Sequence, residues 1–149
     1  MASRTKKKPS ILLNRTIVIG CGKLGATIAN DRWKSGKNVV VVDKMESSFL
    51  HLNKDFSGET MIASAMDLDD IEKAGIKSAN EVIIVTGDDN INIYLAYAIC
   101  NKYCRNIDIF VRLDDEQRGV LLEDLPVKTI YPLELSFEQY KNSREGGDR

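Results

Sequence analysis

Histidine and tryptophan occur once each, and cysteine and proline three times each, in 149 residues. A single histidine excludes a histidine-based metal centre, and Cys21, Cys100 and Cys104 form no CxxC pair. Cys100 and Cys104 stand four apart on an expected helix, where small buried side chains explain them better than zinc or a redox switch. Long apolar runs are also missing. No stretch approaches the roughly 20 residues that span a bilayer, and the amino terminus lacks the apolar centre of a signal peptide, which predicts an intracellular protein. Charge of one sign is lacking as well: 21 basic against 22 acidic residues give a net charge of -1, so no global field attracts nucleic acid. The basic residues Arg4, Lys6, Lys7, Lys8 and Arg15 gather at the amino terminus, which reads as a solvated, disordered tail over residues 1–14.

A hydrophobic content of 43% and a charged content of 29% are those of an ordinary globular domain, and the length is enough for one well-buried core. Apolar, β-branched runs bounded by turn residues predict strands over 16–19, 38–42, 60–63, 82–86, 107–112 and 128–131. Helical patterns lie between them, over 23–35, 47–55, 67–74, 89–104 and 116–122, and an amphipathic segment follows over 133–140. The runs VVVV at 39–42 and VIIV at 82–85 are apolar at every position, as parallel strands covered on both faces must be. The alternation predicts an α/β fold: a single, doubly wound, Rossmann-like domain over 15–141 with a mainly parallel six-stranded sheet. The polar, glycine-containing residues 142–149 read as a frayed tail.

The chemistry concentrates in TIVIGCGKLGATIAN, residues 16–30. Three glycines follow the first strand and open the first helix, the context that gives a GxGxxG pattern its meaning. Gly20 permits the sharp turn, Gly22 removes the side chain that would hold a phosphate off the backbone, and Gly25 lets the helix press on the sheet. The amides of the first helical turn then point at an anion, helped by the partial positive charge of the helix end. VVVVDK places Asp43 at the end of the second strand, eighteen residues past Gly25 (43 − 25). A carboxylate there accepts the hydroxyls of an adenosine ribose and repels a 2′-phosphate, which favours NAD or an adenine nucleotide over NADP. Lys44 beside it has two readings, a phosphate contact or a solvated side chain.

Residues 16–138 resemble the Rossmann-type nucleotide-binding domain of the Trk and Ktr potassium-uptake regulators, the amino-terminal half of the regulator of conductance of potassium unit. Beyond the glycine loop, the resemblance rests on DLDDIEKAGIKSANEVIIVTGDDNINI at 67–93, on IFVRLDD at 109–115 and on YP at 131 and 132. It implies a cytoplasmic, non-enzymatic regulatory subunit, peripheral at the inner face of the membrane, that binds NAD, NADH, ATP, ADP or AMP and gates a potassium transporter or channel. It also implies assembly into a homo-oligomer or pairing with a related subunit. The implied nucleotide site comprises Gly20, Cys21, Gly22, Lys23, Leu24 and Gly25 of the loop, with Asp43 and Lys44 after the second strand. It continues with Ser64 and Ala65 after the third, Thr86, Gly87 and Asp88 after the fourth, Asn92 in the next helix, and Arg112 on the fifth strand. The chain departs from the family at Ala63 and Ser64, where a Gly-Asp pair near the adenine is usual, and it stops where relatives commonly continue into a ligand-binding domain.

The alternative is a fragment of an NAD-dependent oxidoreductase. Against it, no Tyr-x-x-x-Lys pair is present and His51 falls away from the carboxyl ends of the strands, so nothing is placed to manage a proton. His51 reads as a solvent-facing helix residue. Tyr94, Tyr97 and Tyr103 read as packing against the sheet, Asp88 and Asp89 as helix-initiating residues, and Trp33 as either core or subunit contact. Leu133, Phe137 and Tyr140 make one apolar helical face, which either docks on a neighbouring subunit or packs on its own domain.

Overall fold

In a computed structural model, which describes residues 14–103 and 106–146, six parallel strands form one sheet in the order β3-β2-β1-β4-β5-β6. The strands are β1 (Arg15–Ile19), β2 (Asn38–Asp43), β3 (Glu59–Ile62), β4 (Ala79–Ile84), β5 (Asp108–Arg112) and β6 (Lys128–Ile130). Four α-helices complete the layers: α1 (Lys23–Lys34), α2 (Leu68–Lys73), α3 (Asp89–Lys102) and α4 (Pro132–Glu145). The basic segment up to residue 13 and Cys104 lie outside the described residues.

Alternation of side chains along each strand divides the core in two. Ile17, Ile19, Val40, Val42, Val82 and Ile84 face α2 and α3, where they meet Ile71, Leu95, Ala96 and Ile99. Val18, Val39, Val41 and Ile83 face α1, where they meet Ala26 and Ala29. Each fully buried aliphatic side chain contributes roughly 1.5–3 kcal/mol, and the continuous apolar runs in β2 and β4 follow from burial on both faces.

Two expected helices are short 3-10 segments instead. Residues Glu46–His51 turn in this way and the chain then extends at Leu52. The helix stops because α1 captures it: Asn30 Nδ2 donates to Asn53 Oδ1, and the Asn53 amide donates back to Asn30 Oδ1, each at 3.1 Å. Phe49, Leu52 and Phe56 thereby reach the α1 side of the core, and Trp33 joins them, its ring tilted on Phe56 and its indole N–H donating to Ser57. Trp33 is therefore part of the domain's own packing. Glu116–Leu122 is likewise a 3-10 segment, with Gly119 against the Tyr131 hydroxyl.

The carboxyl end also differs. α4 continues to Glu145, so residues 142–145, expected in a frayed tail, are helical. Its apolar face is not folded onto the sheet: Leu133, Phe137 and Tyr140 remain 56% to 66% exposed, and Leu135, on the other side of the helix, is exposed as well. Tyr94 and Tyr97 are also exposed, because α3 turns Asn92, Leu95, Ala96 and Ile99 inward and leaves them on its flank. Only Tyr103 of the three is buried.

Tyr103 belongs to a cluster that ties α2 to the end of α3. Its hydroxyl donates to Glu72 at 2.8 Å, and Lys102 and Lys77 lie 3.0 and 3.5 Å from the same carboxylate. Hydrogen bonds from Lys102 and Tyr103 hold the Glu72 carboxyl at about 2, below its ordinary 4.5. A carboxylate whose folded pKa is depressed adds stability above its unfolded pKa and loses it as pH falls toward the folded one. The urea midpoint is therefore expected to fall between about pH 5 and about pH 2. Glu72→Gln should start lower at pH 7 and lose less over that window; parallel pH profiles for the two proteins would exclude the effect.

Candidate functional site

β1 lies between β2 and β4, so the chain leaves the sheet at its centre, in the crevice where strand connections diverge to opposite faces. The Gly20 amide donates to Val42 O at 2.8 Å and the Val85 amide to Ile19 O at 2.9 Å, which carries both ladders up to the loop. Gly20 has a φ of +104°, and a Cβ there would stand 2.7 Å from Val85 O. A Cβ on Gly25 would stand 1.9 Å from Gly20 O, so α1 touches the turn through bare backbone. Gly22 is the opposite case: a Cβ there meets nothing within 4 Å. Two of the three glycines are demanded by packing; the third leaves open space.

That space is a cleft of about 570 Å³ across the carboxyl ends of the strands. Of the residues expected at a site, Gly20, Gly22, Asp43, Lys44, Ser64, Ala65, Thr86, Gly87, Asp88 and Arg112 line it. Cys21, Lys23, Leu24, Gly25 and Asn92 do not. Cys21 is fully buried among the α1-side residues, where burial first and the Asp43 charge second push its thiol up to about 11, so it stays protonated. Lys23 is exposed on the first turn of α1, and Leu24 packs on the core.

Asn92 acts beneath the cleft. It is fully buried; its Nδ2 donates to Thr86 O at 3.0 Å and Arg112 O at 2.9 Å, and Thr86 Oγ1 donates to its Oδ1. It clamps the ends of β4 and β5 rather than presenting a polar atom to the cleft. Arg112 reaches the cleft with its guanidinium paired to Asp114, Nε to Oδ1 at 2.9 Å. Met45, Ser48, Met66 and Ile91 also line the cleft, and sequence reasoning missed them. The signal for Met45 and Met66 was faint: each lies shortly after a strand that ends at the crevice.

The helix ends differ in how their amides are satisfied. Asp67 caps α2 and Asp88 caps α3, each accepting from two backbone amides. α1 has Gly22 at its cap, no capping side chain and no acidic residue in its first turn. Its leading amides and the positive end of its dipole face an anion-sized opening. Across from them, Asp43 Oδ2 accepts from the Cys21 amide and Oδ1 from the Met45 amide, both at 2.8 Å. A carboxylate offers about four acceptor positions, so two remain, one on each oxygen, open to donors in the cleft. Among the described residues, no group of His, Cys, Asp or Glu side chains is arranged to hold a metal, and no helix is long and apolar enough to cross a membrane.

The family model of the TrkA-N domain matches residues 16–132. The chain belongs to the TrkA-N domain family. It is 26% identical over 123 residues to the Trk system potassium uptake protein TrkA of Streptomyces coelicolor, covering 83% of this chain and 55% of that protein. This TrkA-N domain spans about half the length of the curated relatives it matches. It superposes on GsuK bound to ADP with a TM-score of 0.78 at 20% identity, covering 94% of this chain and 36% of that one. A TM-score of 0.70 at 19% identity relates it to the NAD(P)-binding domain of an exopolyphosphatase-related protein from Archaeoglobus fulgidus, with 88% and 97% covered. Both likenesses carry the fold. The expected Rossmann-like architecture and the resemblance to potassium-uptake regulators are thus borne out.

The contrast between the glycines yields a test on the ligand-free protein. Gly22→Ala is expected to change stability by no more than about 0.5 kcal/mol. Gly25→Ala, which drives a methyl into the Gly20 carbonyl, should cost about 1–3 kcal/mol or more. Equal unfolding midpoints for the two variants would contradict the close approach of α1 to the turn.

Proposed function

We propose that this TrkA-N domain is a nucleotide-sensing regulatory module of a potassium transport system, binding NAD, NADH, ATP, ADP or AMP without transforming it. The observation that carries the reading is the uncapped amino end of α1, with side-chain-free Gly22, facing the unused acceptor positions of Asp43 across one cleft. Phosphate belongs over the α1 amides and ribose against Asp43, with the base toward Met45 and Met66. The TrkA-N family membership and the potassium-uptake relatives support the transport context. ADP in GsuK and the NAD(P)-binding neighbour support the ligand class. The module works on the cytoplasmic side, through a membrane-embedded potassium transporter or channel subunit. A carboxylate at Asp43 sets it against the 2′-phosphate of NADP.

Calorimetry with NAD, NADH, NADP, ATP, ADP and AMP tests the site. Gly22→Val should remain folded and lose nucleotide binding. Asp43→Ala should weaken binding by about 1.5–3 kcal/mol, the range for hydrogen bonds to a charged group. Wild-type binding undiminished in Gly22→Val, or equal affinity for NADP and NAD, would remove the assignment. Steady consumption of NADH with a small carbonyl substrate, abolished by Gly22→Val, would replace it with an oxidoreductase.

Assembly is the second part of the reading. On α4, Leu133, Phe137 and Tyr140 form one exposed apolar stripe, the kind of patch that marks an interaction surface. Self-association or pairing with a related subunit through α4 covers them. Light scattering over a concentration series should show a dimer or larger species that Phe137→Glu shifts toward monomer; a monomer at every concentration would discard the self-association arm. Recovery with a potassium-transporter subunit from cell membranes tests the partner.

A further inference from the structure

His51 was expected to be an idle, solvent-facing side chain. It ends the 3-10 segment Glu46–His51, and its ring is exposed, but its Nδ1 lies 3.0 Å from Cys21 O and 2.9 Å from Ser48 O. Both neighbours are carbonyl oxygens, which only accept. Nδ1 therefore carries the proton and donates to the two oxygens as a three-centre bond. Cys21 is the residue between Gly20 and Gly22, so the imidazole holds the glycine loop itself.

Peptide geometry determines what this hold achieves. Cys21 C=O and Gly22 N–H belong to one planar trans unit and point in opposite directions. Drawing the carbonyl toward His51 turns the Gly22 amide away from it, and Gly22 lines the cleft. The preceding peptide is held too, because the Cys21 amide donates to Asp43 Oδ2 at 2.8 Å. Both peptide groups that flank the Cys21 α-carbon are thus gripped from β2 and the segment after it. Gly22 has no side chain and open space around it, so the peptide before it has little local restraint and an external grip has something to hold.

We propose that His51 is a positioning residue for the phosphate cradle: its Nδ1–H orients the Cys21–Gly22 peptide so that the Gly22 amide is presented to a bound phosphate. The inference rests on the nucleotide reading and adds to it a residue outside the glycine motif. A pre-oriented amide needs no reorganisation on binding, so the gain appears in affinity for phosphate-bearing ligands and not in the contact made by the base.

Asparagine and glutamine separate this role from space filling. Asparagine places an amide N–H at the position of Nδ1, whereas glutamine places one nearer Nε2. Calorimetry with ADP and NADH on the full chain should show His51→Ala weakened roughly three- to tenfold, the effect of one hydrogen bond. His51→Asn should restore most of the affinity and His51→Gln should not. Imidazole ¹⁵N spectra of the ligand-free protein should show the Nδ1-protonated tautomer. Wild-type affinity in His51→Ala, equal behaviour of the Asn and Gln variants, or an Nε2-protonated ring would each overturn the proposal while leaving nucleotide binding intact. Absence of binding by the wild-type protein to ADP, NADH and the rest of the nucleotide panel would instead remove the nucleotide reading, and this inference with it.

Discussion

The contact between Gly25 and the Gly20 carbonyl governs the rest of the domain. It occurs where the central strand ends, and it determines how closely α1 can lie on the sheet. Close packing of α1 buries Ala26 and Ala29 against Val18, Val39 and Val41, closing one half of the core. It also leaves the helix end at the centre of the crevice, between the carboxyl ends of β2 and β4, rather than at an edge. A side chain on Gly25 would require α1 to lift, which would open the core and move the amides together, whereas one on Gly20 would strike the Val85 backbone at the end of β4. Stability and site geometry therefore rest on the same backbone contact.

Around that contact, polar groups are committed unequally. The amides at the starts of α2 and α3 are satisfied by Asp67 and Asp88, and Asn92 has its amide hydrogens and oxygen engaged beneath the cleft. These groups make a rigid rim that offers little to a ligand. The start of α1 and half of the Asp43 carboxylate remain open. Satisfying the rim while leaving these groups available is what separates a binding crevice from a well-capped loop, because unsatisfied groups near a ligand position exchange water for ligand at small cost.

Features legible in the sequence were those with local causes. Continuous β-branched runs gave the buried parallel strands, and the spacing of glycines and Asp43 marked the crevice, because turn sterics and strand ends act over a few residues. The 3-10 character of Glu46–His51 was not legible, since it depends on Asn53 being captured by Asn30, 23 residues away in the chain. The same is true of His51, whose partner Cys21 is 30 residues distant. Asn92 could be marked only through family resemblance. Its place in the fold explains the position better than ligand contact does: one buried amide joins the Thr86 and Arg112 carbonyls at the ends of neighbouring strands. Tyr94 and Tyr97 were misjudged because residue type favours burial, whereas the inward stripe of α3 is occupied by Leu95, Ala96 and Ile99.

A regulatory module needs an element that a ligand and a partner surface both touch, since a ligand shifts an equilibrium only through contacts that differ between states. The Arg112–Asp114 pair occupies such a place. Arg112 lines the cleft at the carboxyl ends of the strands, while Asp114 lines a second groove with Leu133 and Phe137 of α4. The backbone amides of Asp114 and Asp115 donate to the Asp89 carboxylate at 2.9 and 3.0 Å, so the turn after β5 is fastened to the start of α3 directly beside the Asp88 cap. A phosphate that draws the Arg112 guanidinium competes with Asp114 for the same donors. The Asp114 carboxylate stands in the groove beside the exposed face of α4. Cleft and α4 groove are in this way bordered by the two halves of one ion pair, in a turn fastened to one helix start.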